Sequence, residues 1–381
     1  MDISIVRNFI VDNQLYILSG FFLLWLLIQL IYYLGIYSRI IFSPASKSPA
    51  ISEPVSVIIC ARNEAENLEK FLPAVLSQQY PAFEVIVVDD GSSDETGDLL
   101  RGFMAQYPHL RTTTIREDKK FSHSKKLAVT IGIKAAKNDI LVFTDADCEP
   151  ASDQWLKRMA SNFTGEKKVV LGYGGYFSHK ELLNKYIRYD TLTIAMQYLG
   201  FAISGFPYMG VGRNIAYRKS FFYKTAGFSH HLHILSGDDD LFVNENATKR
   251  NTTVEYSHES HTRSNPARSF QQWRMQKKRH LATAPLYKGK DKFLLTLEPL
   301  SRLFFYVLFV VLLCYPETWI YALGAFAFRM TVQLVVIKFT MTRLKENNLL
   351  LYSLMFDLFA LFINFVLFVS NRISVRNRPW K

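Results

Sequence analysis

The 381-residue chain carries 45 Lys and Arg against 33 Asp and Glu, a formal net charge of +12, and 49% hydrophobic residues. That length suits two or three domains with a sizeable core. Charges make up 20% of the chain, yet none falls between Asn13 and Ser38, which argues against a purely soluble protein, and Pro and Gly are too sparse for a disordered or collagen-like one.

The charge-free run reads LYILSGFFLLWLLIQLIYYLGIY at its centre, long enough to cross a hydrocarbon layer of about 30 Å as a helix. A cleaved signal peptide fits poorly, because Asp2 and Asp12 precede the run and no small-residue cleavage site follows it. Cys60, Cys148 and Cys314 are odd in number and far apart, so neither a disulfide framework nor a Cys-rich zinc site is expected. Residues 1–42 therefore read as a membrane helix, 43–54 as a Pro/Ser linker, and the following domain as facing a reducing compartment.

In that domain VSVIIC (Val55–Cys60) reads as a short buried strand, followed by a helical spacing of Leu68, Leu72, Val75 and Leu76. FEVIVVDD (Phe83–Asp90) is a second strand, ending in GSSDET, which caps a helix near Asp94. Lys125 to Ala136 reads as a helix and Asp139–Asp147 as a strand. Alternating strands and helices predict an α/β domain with a mostly parallel sheet.

Ligands of open α/β sheets bind beyond the carboxyl ends of the strands, where this chain places Asp89-Asp90 and Asp145-Ala146-Asp147. In an extended chain Asp145 and Asp147 share one side, and paired hard oxygens suit Mg²⁺ or Mn²⁺ shared with substrate phosphates. One such cluster alone is more often an acidic turn; two at the ends of one sheet favour a nucleotide-phosphate site.

The stretch from Val55 to Thr96 resembles the opening of family-2 glycosyltransferases, which have the GT-A fold. Further landmarks follow in the family's order: SKKLAV (124–129) is similar to its G-K-x-x-A-L helix start, with Ser124 where Gly is usual, and TDADC (144–148) to its metal-binding D-x-D. GDDDL (237–241) stands where the family has E-D-x-D-L, and QKKRH (276–280) where membrane-bound members have Q-x-x-R-W. The resemblance implies a catalytic GT-A domain over 55–262, and Ala61, Glu64 and Asp90 on the uracil and ribose side of a UDP-sugar. It implies Lys125 near the diphosphate, and Asp145 and Asp147 toward nucleotide and metal, with Asp147 the better direct ligand. Asp238 aligns with the general base, and Asp239 is the second choice. Gln276, Arg279 and His280 fall in that last motif, whose Trp in processive members helps form the acceptor site, with Arg279 a cation for the leaving diphosphate. An inverting transfer needs such a carboxylate within hydrogen-bond reach of the acceptor hydroxyl, and adjacent acids raise one another's pKa. Capping of a helix near Leu241 is an equal account of Asp239 and Asp240.

His280 departs from the family's Trp, which is typical of processive synthases, and so favours a single addition to a lipid, as in ceramide glucosyltransferase-like relatives. Arg263 to Lys292 holds nine Lys or Arg and one acid, with Trp273 among them; adjacent membrane segments favour anionic headgroups over nucleic acid. Lys185–Phe206 is expected to form an amphipathic helix at the acceptor site in preference to core. GYGG (172–175) and GVGRN (210–214) lack the strand–Gly–helix context of dinucleotide loops, and His258 and His261 read as surface residues before metal ligands.

Beyond the basic segment 263–300, residues 301–371 hold the C-terminal membrane helices. Leu303–Pro316 is charge-free for only 14 residues, short for a crossing; Thr318–Ile337 is interrupted by Arg329, and Leu349–Val369 holds Asp357 and Asn364. Those polar residues are expected to mark a tilted, interfacial or protein-packed helix before a functional site. Only three membrane segments are expected, some short or interrupted, which argues against a polymer-conducting channel or a transporter. Arg39, Lys47 and the basic segment, against Arg7 alone on the other side, put the α/β domain in the cytoplasm of a multi-pass cell-membrane protein. The Lys338–Lys345 loop and the basic tail 372–381, with Arg372, Arg376, Arg378 and Lys381, both ask for that side, which a re-entrant last segment would satisfy.

The expected function is a metal-dependent inverting glycosyltransferase, moving a sugar from a nucleotide donor, UDP-linked by resemblance, to a membrane lipid or lipid-linked acceptor. A processive polysaccharide synthase is the alternative within enzymes, and a non-catalytic nucleotide-binding membrane scaffold the alternative outside them.

Overall fold

The computed structural model describes residues 13–43, 53–115, 124–232, 234 and 236–373; Arg7, Lys47 and the tail residues Arg376, Arg378 and Lys381 lie outside the described residues. The first apolar run forms α1 (Gln14–Leu30), widens into a π-helical stretch at Ile31–Tyr37 and ends with a turn at Arg39–Phe42. Strands β1 (Val55–Ala61), β2 (Phe83–Asp89), β3 (Leu110–Thr114) and β4 (Ile140–Asp145) alternate with helices α2 (Ala65–Leu76), α3 (Thr96–Gln106) and α4 (Lys125–Ala135). Ser124 caps α4, its Oγ accepting from the Leu127 amide at 3.3 Å, so the residue that replaces the family's Gly still starts the helix.

The main sheet has seven strands in the order β3-β2-β1-β4-β8-β6-β9, where β6 is Val169–Gly172, β8 Ile215–Arg218 and β9 Thr252–Glu255. Strands β1 to β4 are parallel, and β8 is antiparallel to both of its neighbours. A second sheet joins β5 (Cys148–Pro150), β10 (Thr262–Ser264) and β7 (Gly174–Tyr176). Alternate residues of β1 enter two cores: Val57 and Ile59 pack with Leu68 and Leu72 of α2 and with Trp155 of α5 (Trp155–Ala160), while Ile58 packs with Ile133 of α4. Burial on both faces is why these strands read as unbroken apolar runs.

The core on the Ile58 side continues through α6 (Leu182–Ile203) to Val336, Ile337 and Phe356 of the membrane helices. This α6 is the segment expected to line an acceptor groove. It is instead largely core, because both its long faces meet protein: Leu192, Leu199 and Phe201 are buried, and at Gly200 a Cβ would lie 2.7 Å from the Ile36 carbonyl oxygen. Two of its three ionic residues are paired as well, Arg188 with Glu346 at 2.6 Å and Asp190 with Lys277 at 2.7 Å.

Short α7 (Lys219–Lys224) and α8 (Asp240–Asn246) lead to α9 (Phe270–Leu281), then α10 (Gly289–Leu313), α11 (Trp319–Arg343) and α12 (Leu350–Ile373). With α1, four helices among the described residues are long and apolar enough to cross a membrane, one more than expected. The block beginning at Leu303 was too short only because Arg302 bounded it. In the structure that guanidinium is part-buried, donating to Asp357 at 2.8 Å, and the helix runs back to Gly289. Asp357 also accepts from Tyr306 Oη at 2.7 Å and from Arg329 at 3.1 Å, while Arg329 reaches Gln29 Oε1 at 2.9 Å. These contacts tie all four helices together, so Asp357 and Arg329 belong to protein-packed faces. Apolar side chains such as Leu27, Val310, Phe328 and Phe365 point outward.

The loop between α11 and α12 lies against the α/β domain, since Glu346 pairs with both Arg188 and Arg263. α12 is itself long enough to cross, with Leu350–Ser370 spanning 21 residues. The basic stretch before α10 is less uniform than its composition suggests. Lys277 and Arg263 are taken up in ion pairs, and Trp273 is buried edge-to-face on Tyr186 with centroids 5.2 Å apart. Arg268, Arg274, Lys288, Lys290 and Lys292 remain exposed.

Candidate active site

The loops after β1 and β2 are stitched together beside the sheet's carboxyl edge. The Asp90 amide donates to the Ala61 carbonyl at 2.8 Å, the Asn63 amide to Ser92 Oγ at 2.9 Å, and the Ser93 amide to Asn63 Oδ1 at 2.8 Å. Asn63 holds a left-handed φ of 54° in this loop. Glu64 opens α2, donating its amide to Thr96 Oγ1 at 3.1 Å and accepting from Asn67 at 2.5 Å. Ala61, Glu64 and Asp90 are all buried.

One strand along, Asp145 ends β4, and Asp147 sits in the turn before β5. The two carboxylates therefore converge through a tight turn, and not on one side of an extended strand as their spacing suggested. With Cys148 Sγ they bring ligand atoms within 4.8 Å of one another. Burial, then Asp147, pushes the Cys148 thiol well above its ordinary value, so it stays protonated and the donors on offer are the two carboxylates. Two hard oxygens with room for substrate oxygens fit Mg²⁺ or Mn²⁺ better than a thiophilic ion.

Lys125, at the start of α4, places Nζ 2.8 Å from Asp145 Oδ1 and 3.6 Å from Asp238 Oδ2. Burial works against the Asp145 charge, but the Lys125 ammonium, with Arg213 and His280 nearby, outweighs it and holds the carboxyl below its usual value. Asp147 goes the other way: burial, then the Asp145 charge, pushes it up to about 6.

The three acids of GDDDL separate cleanly. Asp239 caps α8, its Oδ1 accepting from the Asp240 amide at 2.7 Å and its Oδ2 from the Gly212 amide at 2.5 Å. Asp240 is buried, accepting from Thr283 Oγ1 and from Tyr287 Oη, the latter at 2.7 Å. Asp238 faces the cleft that Lys125, Asp145 and Gly212 also line. Its pKa is raised, because burial and the charges of Asp239 and Asp145 outweigh the opposing Lys125. At Asp238 and Asp240, burial is a larger cause of the upward shift than the like-charge repulsion expected from the sequence.

Burial, then Asp239, pushes Asp240 up to about 7. Between the ordinary carboxylate value of ~3.9 and about 7 the folded protein holds a proton that the unfolded chain has released, so stability falls as pH rises through that window. Asp240→Asn should flatten the decline of the melting temperature between about pH 4 and 8. Melting in detergent at a series of pH values checks this, and an unchanged slope would contradict it.

The QKKRH motif lies on α9, ahead of the membrane helices. Gln276 Nε2 donates to Tyr176 Oη at 3.2 Å, and His280 is exposed at the end of α9. Among the described residues the Arg279 side chain makes no hydrogen bond or ion pair. The guanidinium beside Asp145 and Asp147 is that of Arg213, in the loop GVGRN. That loop, which lacks the context of a dinucleotide loop, lies beside these acids. Gly212 serves Asp239, and Asn214 ties Trp155 Nε1 at 3.0 Å to the Tyr173 and Ser260 carbonyls. The available signal was its place just ahead of an aliphatic strand, which pairs with the strand carrying the acids. His261 is buried and not on the surface, its Nε2 3.0 Å from the Tyr256 carbonyl and its ring edge-on to Tyr173. Burial lowers its pKa to about 3.

The sheet order and the acids at its carboxyl edge define a nucleotide-diphospho-sugar transferase fold of the GT-A type. A solved mannosyltransferase from Pyrobaculum calidifontis, in complex with GDP-Man and Mn²⁺, shares this fold with a TM-score of 0.58 at 18% identity, over 87% of this chain and 98% of that one. Residues 56–226 match glycosyl transferase family 2. It is 38% identical over 141 residues to glycosyltransferase AglE of Haloferax volcanii, covering 36% of this chain and 45% of that protein. It is 28% identical over 134 residues to an Escherichia coli enzyme, UDP-Glc:alpha-D-GlcNAc-diphosphoundecaprenol beta-1,3-glucosyltransferase WfaP, covering 34% of this chain and 49% of that protein. The match thus spans less than half the length of either curated relative.

Proposed function

We propose that the chain is an inverting glycosyltransferase that moves one sugar from a nucleotide donor, UDP-linked, to a membrane lipid or lipid-linked acceptor. The observation that carries this reading is the cluster of Lys125, Asp145, Asp147 and Asp238 at the sheet's carboxyl edge, next to the segment that enters a membrane helix. Ala61, Glu64 and Asp90 would hold the nucleoside, and Lys125 would turn from Asp145 to the diphosphate. A divalent cation held by Asp145 and Asp147 would offset the charge that grows on the departing diphosphate. Asp238, freed of Lys125, would take the proton of the acceptor hydroxyl as it attacks the anomeric carbon from the opposite face.

Asp238 is preferred over Asp239 because both Asp239 oxygens already accept backbone amides. The lipid acceptor is supported by the link from Asp240 to Thr283 and Tyr287, residues that immediately precede α10. The exposed Arg268, Arg274, Lys288, Lys290 and Lys292 on the domain side of α10 support a cytoplasmic domain at the cell membrane.

The test is UDP release from a panel of UDP-sugars by the full chain in lipid nanodiscs, with Mg²⁺, Mn²⁺ or EDTA. Release that depends on both the divalent ion and added membrane lipid is expected; no release from any nucleotide sugar would reject the reading.

A further inference from the structure

Arg213 has no assigned role, yet its surroundings prepare it for a ligand. Its guanidinium stacks on Tyr176, with Cζ 4.3 Å from the ring centroid, and Tyr176 is in turn held by Gln276. Only Nη1 is engaged, at 3.4 Å from the Gly175 carbonyl and 3.2 Å from Ser264 Oγ. Among the described residues Nε and Nη2 make no hydrogen bond. Arg213 forms no ion pair there either, although Asp145 and Asp147 both feel its charge. A fixed planar fork with two open donors, beside carboxylates that it does not touch, matches a phosphate group held bidentately.

The sheet order says which phosphate. Arg213 precedes β8, which lies beside β4 on the side away from β1 and β2. The residues read as holding the nucleoside, Ala61, Glu64 and Asp90, sit at β1 and β2, across the Asp145–Asp147 turn. Gln276 and Tyr176 connect Arg213 instead to α9, the element that leads into the membrane helices.

We propose that Arg213 binds a phosphate of the acceptor, so that the acceptor is a lipid carrying a phosphate or diphosphate at the membrane face. This rests on the transferase reading and narrows its acceptor class. A neutral glycolipid would leave the open donors of Arg213 unused.

The probe is farnesyl phosphate, with farnesol as its uncharged control, titrated into the full chain in detergent; UDP with Mn²⁺ is titrated separately. The wild type should bind UDP–Mn²⁺, and should bind farnesyl phosphate better than farnesol. Arg213→Met should weaken farnesyl phosphate by about ten- to a hundredfold, and Arg213→Lys, which keeps the charge but loses the fork, by less. Both variants should keep UDP–Mn²⁺ binding, which also shows that they are folded.

Unchanged farnesyl phosphate binding in Arg213→Met would overturn the proposal. So would a wild type that binds UDP–Mn²⁺ but prefers farnesol or binds neither lipid. Weakened UDP–Mn²⁺ binding with farnesyl phosphate intact would assign Arg213 to the donor's phosphate and overturn the acceptor role. A wild type that fails to bind UDP–Mn²⁺ would count against the UDP-donor reading itself, a separate result.

Discussion

Asp238→Asn should lower sugar transfer by about 10²–10⁴-fold while leaving the melting temperature close to that of the wild type. The amide keeps the size of the side chain and can no longer accept a proton. Asp238 also caps nothing: its carboxylate faces the cleft and its charged partner is Lys125, 3.6 Å away. UDP–Mn²⁺ should still bind, because Asp145 and Asp147 are untouched. Asp239→Asn supplies the contrast. It disturbs the cap of α8 and the Gly212 contact, and should cost about 0.5–2 kcal/mol of stability, with a smaller loss of rate per folded molecule. Initial rates and melting curves for the two variants separate the roles, and equal rate losses with equal stability would contradict the assignment.

Asp357→Asn should destabilise the membrane bundle by about 3–5 kcal/mol. Arg329 and Asp357 are both fully buried, and the carboxylate receives Arg302, Arg329 and Tyr306 at once. Removing its charge leaves two guanidinium groups without their shared counter-ion, and Arg302 keeps only Glu298, 3.3 Å away. Arg329→Gln in the same chain should recover part of the loss, since a buried pair is costly chiefly when one member is left alone. Thermal unfolding of both variants in the same detergent checks this; a single-variant change below about 0.5 kcal/mol would contradict the network's role.

What the sequence discloses and what it hides follow from the range of each interaction. β1, β2 and β4 are legible because burial on both faces makes them short aliphatic runs, and Ser124 is legible as a cap because capping is local. The mixed half of the sheet is not legible: β6, β8 and β9 are four residues each, and their pairing is set by partners 40 or more residues away. The same distance hides the true length of α10. Arg302 reads as a charge that ends an apolar run until Asp357, 55 residues on, is seen to neutralise it. Lys277 and Arg263 read as a basic surface for the same reason, although Asp190 and Glu346 absorb them.

At the site, the acids announce themselves by clustering at strand ends, but their separate duties depend on contacts that no spacing encodes. Asp239 is taken by the Gly212 amide and Asp240 by Thr283 and Tyr287, leaving Asp238 to the cleft. Arg213 escapes notice because a lone Arg among glycines has no pattern. Its meaning comes from β8 lying beside β4. The excess of positive charge is likewise divided, part of it facing the domain side of the membrane and part neutralised inside the fold.

The central claim is that this cluster adds one sugar to a phosphate-bearing membrane lipid. It is tested most directly by mass spectrometry of lipid extracts from membranes holding the wild type or Asp238→Asn, incubated with nucleotide sugars and Mn²⁺. A lipid phosphate heavier by one sugar residue is expected in the wild type and should be absent from the variant. A ladder of many sugars, a neutral product lipid, or the same product in both samples would contradict it.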